Sequence, residues 1–83
     1  MSRARTWATR PGDREVARML GQRVRAYRYA SGLTQHQLGA LLGAEQPWVS
    51  DLERGRMIPC TERLVILGDL LGLSVGELAG GER

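Results

Sequence analysis

Apolar residues recur at helical spacing along the chain, and glycines interrupt the pattern. The first stripe has steps of four, four and three residues, which is the spacing of one face of an amphipathic helix. We expect Asp13 to be the N-cap of this helix. The helix should end near Gly32, because glycine readily takes the left-handed conformation that closes a helix. The stripe consists of Val16, Leu20, Val24 and Tyr27.

A second, short helix is predicted between Thr34 and Gly43. Thr34 is a suitable N-cap because its hydroxyl oxygen can accept a hydrogen bond from a backbone N–H of the first turn. Gly43 is expected to end the helix. Its inward side chains are predicted to be Leu38, Leu41 and Leu42.

A third helix follows after only two residues. It is predicted to open at Glu45 or Gln46 and to carry Pro47 in its first turn, where the N–H that proline lacks would have no helical partner. Gly55 is expected to stop it. Its buried face is predicted to be Val49 and Leu52.

The last part of the chain predicts two more helical segments. Thr61 can cap a fourth helix, and Ser74 can cap a short final turn. The expected inward residues are Leu64, Leu67, Gly68 and Leu71 in the fourth helix, and Val75 and Leu78 in the last turn. No segment shows the alternation that is typical of a strand.

The pattern therefore predicts one all-α domain of five short helices over residues 13–79. The first twelve residues have no helical period and several arginines, so residues 1–12 are expected to be a flexible basic arm. Residues 80–83 are expected to be a flexible tail. At 83 residues, a single core is only marginally stable by itself, and we therefore expect an oligomer.

The distribution of charge changes this picture more than the net charge of +3 does. Residues 1–28 hold eight arginines and two acids, whereas residues 29–83 hold four arginines and seven acids. A basic half of this kind favours a polyanion as partner, although a solvated basic face is the alternative.

Other classes of function are disfavoured by the composition. The single cysteine, Cys60, has no disulfide partner within the chain, and with one histidine there is no metal-ligand cluster, so we expect no metal, no cofactor and a reducing cytoplasm. The apolar stretches are too short to span a membrane. Paired carboxylates and a phosphate-binding loop are both missing, so we expect no enzyme activity.

Two short helices joined by a tight turn with a glycine are typical of helix-turn-helix DNA binding. Residues 20–78 resemble the Cro/repressor-type helix-turn-helix family, often called XRE. The resemblance implies a lambda-repressor-like domain of five helices whose third helix enters the major groove, usually as a two-fold dimer on a palindromic operator. The positions in register are Gly32-Leu33-Thr34-Gln35, Leu38, Gly43, Val49-Ser50, Leu52-Glu53, Gly55 and Pro59.

The outward face of the third helix supplies the candidate base-reading residues. Gln46 can pair bidentately with adenine N6 and N7 and is the strongest candidate. Pro47 can touch a thymine methyl group, and Ser50 can donate to or accept from several bases. Asp51 can accept from cytosine N4 or be held back by Arg54.

Four residues are candidates for phosphate contacts. Gln35 begins the second helix, where its amide and the helix N-terminus can both donate to a phosphate oxygen. Thr34 is better suited to the helix cap than to a direct phosphate contact. Arg54, at the end of the third helix, and Arg56, in the loop after it, can reach the backbone.

The resemblance also implies a structural ion pair. Arg28, near the end of the first helix, and Glu53, near the end of the third, stand where the family often has a buried arginine–glutamate pair that ties these helices together. Glu53 would then point inward. Glu45 would sit at the positive end of the third helix dipole and could cap it.

Surplus apolar residues suggest a dimer interface on the fourth helix. Ile66 and Leu70 are one turn apart and are predicted to lie opposite Leu64. Met57 and Ile58 are possible additions at the edge of this surface. The alternative is scattered surface hydrophobes, which are ordinary on soluble proteins.

The sequence thus predicts a transcriptional regulator of a bacterium or its phage that binds an operator in double-stranded DNA. A Cro-like repressor, a restriction–modification controller and an antitoxin are all short enough to fit. No residues remain for a ligand-binding domain, so a small-molecule effector is not expected. The alternative is a protein-interaction module of the same fold, such as an antirepressor or a toxin-neutralising partner, which the acidic residues near the reading face favour.

Overall fold

The computed structural model describes residues 11–78 and shows helices joined by short loops, with no strand among these residues. The predicted all-helical class is confirmed for this part of the chain. Residues 1–10 of the predicted arm and the predicted tail at 80–83 lie outside it. The elements are α1 (Pro11–Ser31), α2 (Gln35–Leu42), α3 (Gln46–Glu53), α4 (Thr61–Leu71) and the single turn α5 (Val75–Leu78).

Residue types and short-range hydrogen bonds determine where several of the helices begin. α1 begins at Pro11, two residues before the predicted cap Asp13, because proline fits the first turn of a helix. At α2, Thr34 Oγ1 accepts from the Gln37 N–H at 3.0 Å, and the Thr34 N–H donates to Gln37 Oε1 at 2.9 Å. This reciprocal capping box satisfies two donors that the helix leaves unpaired. Ser74 and Glu77 form the same arrangement at α5.

One core unites the helices. All eight of its fully buried apolar side chains are at most 2% exposed, and they come from α1 to α5. The buried side chains are Leu20, Val24, Leu38, Leu42, Val49, Leu52, Leu67 and Leu78.

None of the helices in residues 11–78 combines the length and the apolar character needed to cross a membrane.

Leu41 does not join this core, so its predicted inward position is wrong. Its side chain is 52% exposed. The buried face of α2 is centred on Leu38, Gly39 and Leu42. At about 100° per residue, Leu41 falls off the edge of that face.

Two glycines set the distances between the helices that carry the site. A Cβ on Gly21 of α1 would lie 2.5 Å from the Leu52 carbonyl oxygen and 2.7 Å from that of Glu53. A Cβ on Gly39 of α2 would lie 2.6 Å from the Ala44 carbonyl oxygen. The backbone of α1 therefore lies directly against the end of α3, and α2 lies directly against the turn that precedes α3.

Candidate nucleic-acid interface

α2 and α3 are joined by a turn of three residues, 43–45. Gly43 takes φ 71°, in the left-handed region, and the Ala44 N–H donates to the Gly39 carbonyl at 2.8 Å. The turn is closed by its own backbone hydrogen bonds. α2 and α3 thus have the arrangement of a helix-turn-helix.

The outward face of α3 holds the four predicted base-reading residues. Gln46 and Pro47 are exposed, and Ser50 and Asp51 are partly exposed. At about 100° per residue, the four lie within an arc of about 140°. The opposite side of α3 is buried and consists of Val49, Leu52 and Glu53.

Arg28 and Glu53 form an ion pair between α1 and α3. Arg28 Nε donates to Glu53 Oε2 at 2.6 Å, and Arg28 Nη2 donates to Glu53 Oε1 at 3.0 Å. The Glu53 side chain is 0% exposed and that of Arg28 is 10% exposed. Arg28 Nη1 also donates to the Leu33 carbonyl at 3.0 Å, which holds the guanidinium against the start of the helix-turn-helix.

The environment of Glu53 keeps its carboxylate charged. Burial acts to raise the pKa of Glu53, but the hydrogen bonds from Arg28 and Gln35, with the charges of Arg28 and Arg25, outweigh burial and hold the pKa below its ordinary value. The same pair raises the pKa of Arg28, chiefly through its hydrogen bond to Glu53. Both groups are therefore ionised at neutral pH.

Hydrogen bonds continue from this ion pair to α3. Gln35 Nε2 donates to Glu53 Oε1 at 3.1 Å. Gln46 Nε2 donates in turn to Gln35 Oε1 at 2.6 Å. The strongest base-reading candidate and a phosphate-binding candidate are thus brought into direct contact.

The remaining phosphate-binding candidates lie at the two ends of α2–turn–α3. Thr34 serves as the cap of α2, although its hydroxyl hydrogen is still a possible donor. Arg54 is exposed at the end of α3. Arg56 is 57% exposed, and its Nη1 lies 3.7 Å from Asp51 Oδ1. Asp51 is therefore in an ion pair on the outward face of α3.

Glu45 does not cap α3 through its side chain, which corrects that expectation. Glu45 is the N-cap residue, but its carboxylate makes no capping hydrogen bond. The Glu45 carbonyl instead accepts from the Trp48 and Val49 N–H groups. The Glu45 carboxylate remains exposed near the outward face of α3.

Arg25 is a site residue that the sequence analysis missed. Its Nε lies 3.6 Å from Glu53 Oε1, the same oxygen that accepts from Gln35, yet its side chain is 49% exposed. Arg25 thus holds a positive charge beside the N-terminus of α2. Its position three residues before Arg28 was an available signal, since residues at that spacing lie on one side of a helix.

Arg63 of α4 was missed as well. Its guanidinium lies over the Trp48 ring, 4.8 Å from the centroid, and its Nη2 donates to the Gly43 carbonyl at 3.0 Å. Arg63 therefore ties α4 to the turn of the helix-turn-helix. A groove of about 290 Å³ lies here, lined by Gly43, Ala44, Glu45, Pro47, Trp48 and Arg63.

Comparison with known proteins decides the family. A family model described as a helix-turn-helix domain matches residues 19–79. The HTH-type transcriptional regulator YazB of Bacillus subtilis (strain 168) is 33% identical over 67 residues, which cover 81% of this chain and 97% of YazB. The HTH-type transcriptional regulator y4dJ of Sinorhizobium fredii is 36% identical over 64 residues, covering 77% of this chain and 83% of y4dJ. The chain belongs to the XRE-like helix-turn-helix DNA-binding family.

Solved structures of similar fold agree with this assignment. The clp gene regulator ClgR from C. glutamicum is similar at a TM-score of 0.63 and 30% identity, over 80% of this chain and 90% of ClgR. The hypothetical transcription factor NHTF from Neisseria shares the fold at a TM-score of 0.66 and 24% identity, over 87% of this chain and 83% of NHTF. As a member of this family, the chain is a DNA-binding domain and not an enzyme, as predicted.

The apolar residues predicted for a dimer interface of this helix-turn-helix domain differ in how exposed they are. Ile66 is 38% exposed. Leu70 and Met57 are partly buried against the core of their own chain, and Ile58 is partly buried. Leu70 packs against the core because the face of α4 that contacts it is wider than the predicted stripe. Leu70 is therefore not surplus to the core, and this argument for the interface no longer applies.

Proposed function

We propose that this protein is a sequence-specific regulator of transcription that binds a palindromic operator in double-stranded DNA. In this proposal α3 enters the major groove, and α5 is the fifth helix of a lambda-repressor-like domain. One observation carries it most: the outward arc of α3 offers Gln46, Pro47, Ser50 and Asp51 together, next to an amide at the start of α2. The relatives named as transcriptional regulators support the same activity.

Each residue type suits a particular contact. Gln46 would pair with adenine, Pro47 would touch a thymine methyl group, and Ser50 would bind a neighbouring base edge. Asp51 would accept from cytosine N4 with its charge balanced by Arg56. These contacts would supply the sequence preference.

The phosphate contacts would lie on both sides of the reading helix. At the start of α2, Gln35 and Thr34 would donate to one phosphate, together with the first-turn N–H groups that a helix leaves unpaired. Arg25 would add its charge there. After α3, Arg54 and Arg56 would bind the backbone on the other side, and contacts of this kind fix the register of the protein on the duplex.

Selection from random double-stranded oligonucleotides tests this function. The expected product is two inverted half-sites whose centres lie about one helical turn, roughly 10 base pairs, or a multiple of it apart. The selection gives the half-site, its spacing and its symmetry together. Recovery of no enriched sequence would defeat the proposal.

Replacing Arg25 by glutamine should weaken binding to all DNA sequences alike. Loss of one phosphate contact should reduce the magnitude of the log–log slope of affinity against salt by about 0.9. The matched control is Arg23→Gln, because Arg23 lies about 160° around α1 from Arg25. Fluorescence titrations at several salt concentrations measure both. An equal effect of the two substitutions would mean that only net charge matters and that Arg25 has no specific contact.

Two-fold binding requires a dimer, which we place on the face of α4 that exposes Ile66. Ile66→Lys should shift the association equilibrium towards the monomer, because a buried unpaired charge opposes assembly. Thr61→Lys is the control, since it puts the same charge on the same helix about 140° away. Sedimentation velocity over a range of concentrations compares them. A wild-type chain that stays monomeric at tens of micromolar would contradict this interface.

The alternative of a protein-interaction module requires exposed, unpaired acidic residues on or near the outward face of α3, and two of the three do not fit this requirement. Glu53 is buried with Arg28, and Asp51 is paired with Arg56, which leaves Glu45 as the exposed carboxylate of this stretch. A module that binds protein would show no steep salt dependence with DNA. Affinity for DNA that does not change with salt would favour the alternative.

A further inference from the structure

The third helix is held near each of its ends by an arginine from another helix. At its C-terminal end, Glu53 accepts hydrogen bonds from Arg28 of α1 at 2.6 and 3.0 Å. Near its start, the Trp48 ring lies under the guanidinium of Arg63 of α4, whose central carbon is 4.8 Å from the ring centroid. These two contacts fix the direction of the α3 axis at two points.

Arg63 makes a second contact, on the other side of the turn between α2 and α3. Its Nη2 donates to the carbonyl of Gly43, the residue that ends α2, at 3.0 Å. The guanidinium group is planar and rigid, so the group that lies over Trp48 also fixes the distance from the end of α2 to the start of α3. Arg63 is partly buried in this position. One rigid group of α4 therefore links α2 and α3 across the turn.

The apolar contacts of α3 set its direction less strictly than these polar contacts do. Val49 and Leu52 are fully buried, and their packing holds the helix against the core. Apolar burial is non-directional, however, whereas a hydrogen bond weakens steeply when its angle changes. A helix held only by the core and by Glu53 can pivot about its C-terminal end.

A pivot at Glu53 moves the start of α3 more than its end. α3 has 8 residues, so at 1.5 Å per residue Gln46 lies about 10 Å along the axis from Glu53. Asp51 lies only about 3 Å from Glu53 along the same axis. A tilt that shifts Gln46 by about 1 Å therefore shifts Asp51 by about 0.3 Å. Because binding groups must be held within about 0.5 Å, this tilt disturbs the contact of Gln46 and spares that of Asp51.

We propose that Arg63 is a positioning residue for base recognition: through Trp48 and Gly43 it holds the start of α3 and so determines the base preference at the pair that Gln46 reads. The inference rests on the proposed function and deepens it. Arg63 needs no contact with DNA in this role. Its loss should reduce the preference at the pair read by Gln46 more than the preference at the pair read by Asp51.

The first test uses the protein without DNA. Backbone amide signals of residues 44–46 and the indole N–H signal of Trp48 are followed by ¹H–¹⁵N NMR in the wild type, in Arg63→Met and in the control Glu62→Gln. Glu62 is exposed on α4 beside Arg63. Arg63→Met should move these signals, because methionine has neither the charge nor the donor, and Glu62→Gln should leave them in place. Unmoved signals in Arg63→Met would overturn the proposal.

The second test measures base preference on the selected operator. Two base pairs are first assigned, as the pairs whose preference disappears in Gln46→Ala and in Asp51→Ala. Operators that carry each of the four bases at these pairs are then titrated with Arg63→Met. The preference at the Gln46 pair should fall by about fivefold or more, the lower end of the discrimination of a bidentate pair, and that at the Asp51 pair should change little. An equal fall at both pairs would overturn the proposal.

Trp48→Leu interrupts the same link from the other side. It removes the ring and leaves Arg63 in place, so it should produce the same pattern of lost preference. Adding Arg63→Met to Trp48→Leu should cause a smaller further loss than Arg63→Met causes alone, because the two residues act through one contact. Circular dichroism confirms that each variant is folded at the temperature of the titrations. Losses of preference that simply add would mean that the residues act independently, against the proposal.

The outcomes separate this inference from the proposed function. If Arg63→Met weakens all the operators by the same factor, Arg63 contributes only a phosphate contact or stability, and the positioning role is wrong while the proposed function stands. Arg54→Gln, which removes a proposed phosphate contact, is the reference for such a uniform loss. If the wild type selects no operator, the proposed function fails, and the role of Arg63 in base preference fails with it, whatever the NMR signals show.

Discussion

Replacing Glu53 by glutamine should lower the free energy of unfolding by about 3–5 kcal/mol, because it leaves the buried Arg28 guanidinium without its counter-charge. The loss is large beside a total stability of about 5–15 kcal/mol for a domain. Urea denaturation followed by circular dichroism measures it. Glu15→Gln is the control, since Glu15 pairs with Arg18 on the surface. Surface pairs contribute little, so the control should unfold close to the wild type.

The same carboxylate should govern stability in acid. The pKa of Glu53 is lower in the folded protein than its ordinary value of 4.5, so its contribution is present above that value and is lost as the pH falls through the folded pKa. The wild type should therefore lose stability below about pH 4.5 more steeply than Glu53→Gln, in which this titration is absent. Equal pH profiles, or an unfolding midpoint of Glu53→Gln equal to that of the wild type, would contradict the buried ion pair.

Gly21→Ala should destabilise the domain although alanine is the better helix former. Alanine in a helix interior usually gains about 1 kcal/mol over glycine. Here the new Cβ would lie 2.5 Å from the Leu52 carbonyl oxygen, and α1 and α3 would have to separate. Overpacking of this kind costs about 1–3 kcal/mol. We therefore expect a net loss of stability, with a lower urea midpoint.

The neighbouring substitution Gln22→Ala isolates the steric effect of Gly21→Ala. Gln22 is exposed on the same helix, so its change tests helix propensity without a contact to α3. The two variants should differ in midpoint, with Gln22→Ala near the wild type. An increase in stability for Gly21→Ala would mean that α1 and α3 lie farther apart than the structure shows. Because Glu53 lies on α3, separation should also disturb its pair with Arg28.

Much of the helical architecture could be predicted from short stretches of sequence. Thr34 caps α2, and Gly43 ends it with a positive φ, because both effects involve only the next few residues of the chain. Pro47 lies in the first turn of α3 for the same kind of reason. The prediction that Leu41 points inward was wrong. A helical stripe shows which residues share a face, but not how much of that face the neighbouring helices cover.

The sequence predicted which residues the candidate site contains, but few of the contacts between them. Helical spacing placed Gln46 and Ser50 on the outward face of α3, and the resemblance to the family named Arg28 and Glu53 as partners. Neither the helical spacing nor the family resemblance predicted the hydrogen bond between Gln35 and Glu53, which are 18 residues apart. Neither predicted the hydrogen bond from Arg63 to the Gly43 carbonyl, 20 residues away. Such contacts depend on the crossing of helices that the chain pattern does not specify.

The sequence by itself determined the helices, the caps of α2 and α5 and the outward face of α3, because these depend on hydrogen bonds and side-chain spacing within a few residues. It placed the caps of α1 and α4 wrongly, since α1 begins before Asp13 and the N-cap of α4 is Cys60 and not Thr61.

Only the tertiary structure decided that Arg25 lies beside Glu53, that Leu70 packs against the core and that two glutamines connect a buried carboxylate to the outward face of α3. For the contacts of Arg25 and Arg28 with Glu53, the physical reason is the close approach of α1 to α3 at Gly21. That approach brings side chains 25 residues apart within hydrogen-bond distance.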